Sequence, residues 1–261
     1  MGGLVGAVHD LEVPSGRVGC VWLGQAGFLF KTASRRLVMI DPYLSDRCAD
    51  LVGLHRTFPA PLQPGELTPD VLLVTHMHDD HLDEPVLRAC AGSAPVLVAP
   101  LSCLERARAW GWPKSALAPA FGQGLALGLA VVPTFARHPG VPDAVGYLLD
   151  LDGVRIWHSG DTEYDAHLRR LHGERIDVAL MVVNGGGGNM NTHEAALLAW
   201  QLRPRLSIPM HYGMWPDEEY RYNGEAPDAT PDPALFESTL QRLDPALVTR
   251  RLVVGQPTLL P

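Results

Sequence analysis

The sequence predicts an α/β fold, and three observations carry that prediction. Aliphatic runs at 71–74, 96–99 and 178–183 have the length and branched composition of buried strands. Helical patterns at 84–91, 102–110 and 192–202 come after such runs in both halves of the chain. The 26 glycines and 23 prolines then imply many short elements joined by tight turns. The halves, roughly 17–115 and 125–215, each place strands before helices, with neither an internal repeat nor a linker. One domain over residues 1–261 is therefore expected.

After a loose start, Arg17 to Leu23 and Phe28 to Lys31 read as strands around the turn Gly24-Gln25-Ala26-Gly27, and Arg36 to Ile40 as a third. Residues 43–69 carry several prolines and no periodicity, and read as a long loop of the kind that usually serves function. Val71 to Val74 is a buried strand and Glu84 to Ala91 a short helix. Val96 to Ala99 is again a strand, followed by a helix from Ser102 to Trp110 with Ser102 as its cap. Leu125 to Pro133, Val145 to Leu151 and Val154 to Trp157 read as strands, the last two joined by the hairpin signal Asp152-Gly153. Thr162 to Leu171 is expected to be helical and Val178 to Val183 a buried strand. Thr192 to Leu202 reads as a helix capped by Thr192, with Glu194 favouring its N-terminal dipole. A strand at Leu206 to Pro209, a helix near Ala234 to Leu243 and a strand at Leu252 to Val254 complete the chain.

Bulk properties exclude several classes. A net charge of −8 without any basic stretch argues against a nucleic-acid surface, which needs clustered Lys and Arg. No apolar run approaches the length of a membrane span, and no signal peptide is evident, so a soluble cytoplasmic protein is expected. Cys20, Cys48, Cys90 and Cys103 are widely spaced without a C-x-x-C pair, which suggests reduced, buried thiols.

The segment Thr75-His76-Met77-His78-Asp79-Asp80-His81 is the most informative stretch. Directly after a buried strand it sets His76, His78, Asp80 and His81 within six residues. Imidazole and carboxylate donors at this density suit zinc, manganese or iron better than magnesium or calcium. His76 and His78 lie two apart, so an extended backbone points both to one side. Asp80 and His81 come after the chain turns, within reach of a second ion; two ions about 3.5–4 Å apart form the clamp of hydrolytic metalloenzymes. Three further donors stand just past strand ends: His138, Asp161 and His211.

The ordered set His-x-His-x-Asp-His, His, Ser-Gly-Asp-Thr and Pro-x-His strongly resembles the metallo-β-lactamase fold hydrolases. Trp22-Leu23-Gly24-Gln25-Ala26-Gly27-Phe28, Ile40-Asp41-Pro42-Tyr43-Leu44-Ser45-Asp46 and Asn189-Met190-Asn191 look like the branch that includes L-ascorbate-6-phosphate lactonase. The resemblance spans about residues 17–256 and implies a four-layer αββα sandwich. It implies a first metal on His76, His78 and His138, a second on Asp80, His81 and His211, and Asp161 between them. Zinc is the expected metal at both sites, with manganese or iron as alternatives. Asp41 is expected to brace the ligand turn, and His158 to serve as a hydrogen-bond partner behind the ligands.

Such a site would use a metal-bound hydroxide, with Asp80 and Asp161 as proton acceptors; no Gly-x-Ser-x-Gly elbow offers another nucleophile. Arg137, Tyr212, His193 and Asn189 are the candidate substrate contacts. Asn189 belongs to a run, Gly185 to Asn191, that reads either as a close approach to ligand or as a flexible loop. Tyr43, Arg47, Arg56, Trp215 and Arg221 are further candidates in the two selecting segments, 43–69 and 212–224. The resemblance ranks opening of a lactone of a polar or phosphorylated sugar acid first. A phosphodiesterase acting on a nucleotide or phospholipid-type substrate comes second, and a non-hydrolytic redox or regulatory metalloprotein is the alternative of another class. The expected partner is a small, anionic substrate molecule, with neither nucleic acid nor membrane, and a homo-oligomer is open.

Overall fold

The computed structural model describes residues 3–121, 125–215 and 232–261. Strands β1 (Val18–Gly24), β2 (Gly27–Lys31), β3 (Leu37–Ile40), β4 (Val71–Leu73), β5 (Val96–Ala99), β6 (Leu117–Pro119) and β13 (Thr258–Leu260) build a sheet ordered β13-β1-β2-β3-β4-β5-β6. Its first members pair antiparallel, whereas β3 through β6 run parallel. Strands β7 (Leu125–Ala126), β8 (Leu129–Phe135), β9 (Val145–Leu151), β10 (Val154–His158), β11 (Val178–Val182) and β12 (Leu206–Met210) form the second, ordered β12-β11-β10-β9-β8-β7. There β10, β11 and β12 are parallel, as the first sheet's site-bearing strands are.

Period-two alternation divides the first sheet's side chains between two cores. Trp22, Phe28, Phe30, Ile40, Val71 and Leu73 face the second sheet. Leu23, Leu29, Met39, Leu72 and Leu97 face outward, where they pack with residues of α3 (Glu84–Ala91) and α4 (Leu101–Ala109). On the far side, Ala195, Leu198 and Leu202 of α5 (Thr192–Leu202) and Phe236 and Leu240 of α6 (Pro233–Leu243) join the core of the second sheet. Helix, sheet, sheet and helix are thus stacked as the expected αββα layers. The central strands are covered on both faces, which is why β1, β4 and β11 are buried at every position and read as near-continuous apolar runs.

Several elements depart from the sequence expectation, each for a local reason. The start is ordered: α1 (Leu4–Asp10) is held at its C-terminal end by Lys31, whose buried ammonium donates to the carbonyls of Val8 and His9. The 43–69 loop contains α2 (Arg47–Val52), closed by Gly53 in the left-handed conformation. The predicted strand 125–133 is a hairpin, because Leu127 and Gly128 both take positive φ and turn the chain. Residues 162–165 are not helical: Thr162 Oγ1 accepts from the Arg137 N–H and Glu163 N–H donates to the Arg137 carbonyl, leaving only a 3₁₀ turn at Ala166–Leu171.

Ser102 does not cap α4; its N–H and hydroxyl both donate to Asp143, brought in from the other half of the chain. The cap of α5 is Asn191 rather than Thr192, in a reciprocal box with Glu194. Residues 252–254 form no strand; Val254 makes a single bridge to Trp22, and the edge strand is β13 instead. All four cysteines are free and buried, and burial pushes each thiol's pKa up. No described helix is long and apolar enough to cross a membrane.

Replacing Asn191 by Ala removes two hydrogen bonds at the start of α5. It should lower unfolding free energy by about 0.5–2 kcal/mol, read as a reduced denaturant midpoint at unchanged slope.

Candidate metal centre

The site residues stand at one edge of both sheets, beyond the C-terminal ends of parallel strands, where ligand sites of open α/β sheets lie. Past β4, Thr75 donates its N–H and hydroxyl to Asp41, at 2.8 and 2.6 Å, and the chain then turns with His81 N–H bonded to the His78 carbonyl. His138 follows β8, Asp161 follows β10, and His211 follows β12. Gly160 makes the approach of Asp161 feasible. Its φ is +60°, and a Cβ there would sit 2.5 Å from the Val145 carbonyl oxygen.

The donors converge as the sequence expectation requires. His78 Nδ1 lies 3.0 Å from His76 Nε2 and 3.1 Å from His138 Nε2. His81 Nε2 and His211 Nε2 are 3.3 Å apart, and His211 Nε2 lies 3.4 Å from Asp80 Oδ2 and 3.3 Å from Asp161 Oδ2. Zinc–nitrogen bonds of about 2.0–2.1 Å in a tetrahedron would put donors about 3.3 Å apart. Within each of three sets (His76, His78 and His138; His76, His81 and Asp161; Asp80, His81 and His211) the donor atoms lie within 4.8 Å of one another. Asp161 stands between the two outer sets. His76, His81, His138, Asp161 and His211 are buried while His78 is exposed, so the cluster opens to solvent on the His78 side.

Electrostatics splits the cluster into two halves. Burial pushes the His76 pKa well down, lowers that of His78, and takes His138 to about 4, so these rings present neutral nitrogen lone pairs. Burial also opposes charge on His81 and His211, but Asp161 and Asp80 outweigh it and raise both to about 10. Burial alone would raise Asp80 and Asp161; the same two histidines overcome it and hold both carboxyls far below the usual range. Asp161 Oδ1, although buried, has no hydrogen-bond partner among the described residues, only an ion-pair contact with His81 Nε2 at 3.5 Å. Neutral imidazoles on one side and carboxylates on the other fit borderline divalent ions such as zinc, manganese or iron(II).

The supporting residues divide more unevenly. Asp41, fully buried, accepts from His81 Nδ1 at 2.8 Å as well as from Thr75, which fixes the ring with Nε2 toward the cluster. His158 touches no donor: its ring bonds the Ala26 carbonyl and the Gly160 N–H, so it shapes the turn before Asp161. Asn189 uses its amide on Asp161 Oδ2 at 2.8 Å and on Asn184, and is buried, which makes it a neighbour of the carboxylate rather than an open contact.

Three expected substrate contacts are otherwise engaged. Arg137 is paired with Glu163 and Asp165, Tyr212 packs its ring against Trp22, and exposed His193 bonds Thr239 on α6. Arg47 pairs with Asp79 and Glu84, and Arg56 donates to the carbonyls of Tyr43 and Ser45 while lying over the Tyr43 ring. Tyr43 and Trp215 pack together in a small apolar cluster that ties the 43–58 segment to the stretch after His211. Arg221 lies outside the described residues. One close neighbour had no assigned role from sequence: Gln25, whose Nε2 donates to Asp80 Oδ2 at 2.9 Å. Its only local signal is a polar residue in a turn between two wholly buried strands.

The two sheets and their shared histidine–aspartate edge define a metallo-β-lactamase fold. A metallo hydrolase of Ignicoccus hospitalis superposes with a TM-score of 0.72 at 21% identity, covering 94% of this chain and 99% of that one. An isothiocyanate hydrolase from gut bacteria of Delia radicum gives 0.72 at 15% identity over 93% and 98%. A diiron β-hydroxylase of Streptomyces venezuelae gives 0.67 at 14%, over 95% of this chain and 54% of that one. At such identities the likeness is one of fold alone. Residues 36–212 match the family model described as beta-lactamase superfamily domain. A UPF0173 metal-dependent hydrolase of Thermococcus kodakarensis is 31% identical over 204 residues, spanning 75% of this chain and 84% of the relative, and one of Cupriavidus taiwanensis is 30% identical over 226 residues, spanning 76% and 75%. The chain belongs to the beta-lactamase superfamily and, within it, to the UPF0173 metal-dependent hydrolases.

With His81 and His211 protonated at neutral pH in the metal-free protein, uptake of an ion by their nitrogens must displace protons. Calorimetric titration with zinc at pH 7 in two buffers of different ionisation enthalpy should therefore show net proton release, and affinity should fall as pH falls. Identical heats in both buffers would contradict that charge assignment.

Proposed function

We propose that the protein is a metal-dependent hydrolase that holds two divalent ions, zinc first, and opens a small ester-like substrate. The single observation that supports this most directly is the set of three overlapping donor groups, each within 4.8 Å, with Asp161 between them. Bound there, divalent ions would acidify water toward a pKa of about 7 and polarise the electrophile. The chain's own residues supply the rest. Asp80 and Asp161 are kept ionised and so suited to hold a cation; His78 marks the open side by which substrate enters. Asp41 and Asn189 orient a histidine ring and a carboxylate that would otherwise rotate.

A lactone of a polar sugar acid is the proposed substrate class, on the strength of the sequence resemblance to the lactonase branch. The arginines named from sequence temper the expectation of strong anion binding, since Arg47, Arg56 and Arg137 already have protein partners. Asp79 is turned to Arg47 and belongs to none of the donor groups, which leaves the cluster dominated by histidine and favours hydrolysis over the redox alternative.

Metal analysis of purified protein paired with a screen of lactones, phosphodiesters and thioesters tests this reading. The expected result is two zinc or manganese ions and chelator-sensitive lactone cleavage. Diester cleavage would select the phosphodiesterase reading, and iron with oxygen uptake and no hydrolysis would overturn the hydrolase. Asp80→Ala should lower turnover by at least about 100-fold while the protein stays folded by circular dichroism, because the carboxylate serves the cluster rather than the core.

A further inference from the structure

We propose that Gln25 is a positioning residue that sets the Asp80 carboxylate for metal binding, a role that rests on reading Asp80 as a donor. Gln25 lies in the tight turn between β1 and β2 with φ +50° and is fully buried. Its neighbour Gly27 lets this turn press against the end of β3, since a Cβ there would stand 3.0 Å from the Asp41 carbonyl oxygen. From that position one residue reaches both halves of the donor cluster. Its carbonyl accepts from the His211 N–H at 3.0 Å and from Trp22 Nε1 at 2.9 Å. Its side chain donates to Asp80 Oδ2 at 2.9 Å.

The oxygen it holds is the one the cluster uses. Asp80 Oδ2 is the atom 3.4 Å from His211 Nε2 and 3.7 Å from His81 Nε2. Rotation of the carboxylate would turn that oxygen away from both nitrogens, and the Gln25 amide opposes the rotation from behind. Packing alone does not account for an amide at this place. Its Oε1 is buried without a partner among the described residues, and an unmade buried acceptor is destabilising. An apolar side chain of the same shape would fill the space without that cost, so the N–H toward Asp80 is what distinguishes glutamine here. A neutral donor also leaves the negative charge of Asp80 available to a cation, which a lysine or arginine would cancel.

Gln25→Met keeps length and volume, removes the donor and removes the orphaned acceptor. Zinc binding to metal-free protein, followed by competition with a chromophoric chelator, should show one ion held about 10–100-fold more weakly than in the parent. The thermal midpoint of the metal-free protein should stay within a few degrees of the parent, because the lost hydrogen bond and the relieved acceptor oppose each other. A merely structural glutamine would give the reverse: a lowered metal-free midpoint with unchanged zinc affinity. Asp80→Ala, measured alongside, separates two ways of failing. If Asp80→Ala weakens zinc binding and Gln25→Met does not, the role of Gln25 is overturned and the donor assignment stands. If neither changes it, the assignment of Asp80 falls and the proposal falls with it.

Discussion

The buried carboxylate of Asp41 is the constraint on which the histidine-rich turn at 75–81 depends. It ends β3 in a left-handed backbone conformation, accepts the N–H and hydroxyl of Thr75, and accepts the ring N–H of His81. Three donors on one fully buried group leave the 75–81 turn little freedom: its entry residue and its last histidine are tied to the same two oxygens. A buried carboxyl group is tolerated only when its oxygens are hydrogen-bonded in this way. His81 is thereby oriented before any cation arrives, and the cost of ordering it is met during folding rather than on binding.

The two sheets contribute unequal halves of the cluster. The first sheet delivers His76, His78, Asp80 and His81 in one continuous segment; the second delivers His138, Asp161 and His211 from three separate strand ends. The relative position of those halves is set by the apolar layer between the sheets, where Trp22, Phe28, Ile40, Tyr147 and Ile156 are all buried. Tyr147 also crosses the layer with a hydrogen bond from its hydroxyl to the Val74 carbonyl, one residue before the turn. Truncating a large side chain of such a layer costs about 3–5 kcal/mol. Here it would also loosen the alignment of donors that must meet within a few tenths of an ångström.

Charge divides the cluster differently, with residues from both sheets on each side. Neutral imidazoles cluster where burial disfavours protonation, and the two carboxylates sit against the two histidines that hold protons. Neutral carboxamides stand behind both carboxylates, Gln25 at Asp80 and Asn189 at Asp161, so the acids are oriented without being neutralised. Much of the surrounding cationic charge is spent on structure: Arg47 and Arg137 pair with carboxylates, while Arg56 satisfies backbone carbonyls of the 43–58 segment.

The histidine–aspartate cluster was legible in the sequence because six-residue density of these residues after an apolar strand has few other physical readings. His138, Asp161 and His211 were legible for a related reason, each standing at the end of a recognisable strand. The α/β class followed from apolar runs and helical spacing, which are local properties. Tertiary structure decided what depends on residues distant in sequence. Asp143 replaces a local cap on α4, and Thr162 is kept out of a helix by its bond with Arg137. Arg137, Tyr212 and His193, individually plausible as substrate contacts, found partners that no local pattern announces. Gln25 escaped for the same reason in reverse: its meaning lies in Asp80, 55 residues away, and hydrogen bonds across such separations leave no periodicity to read.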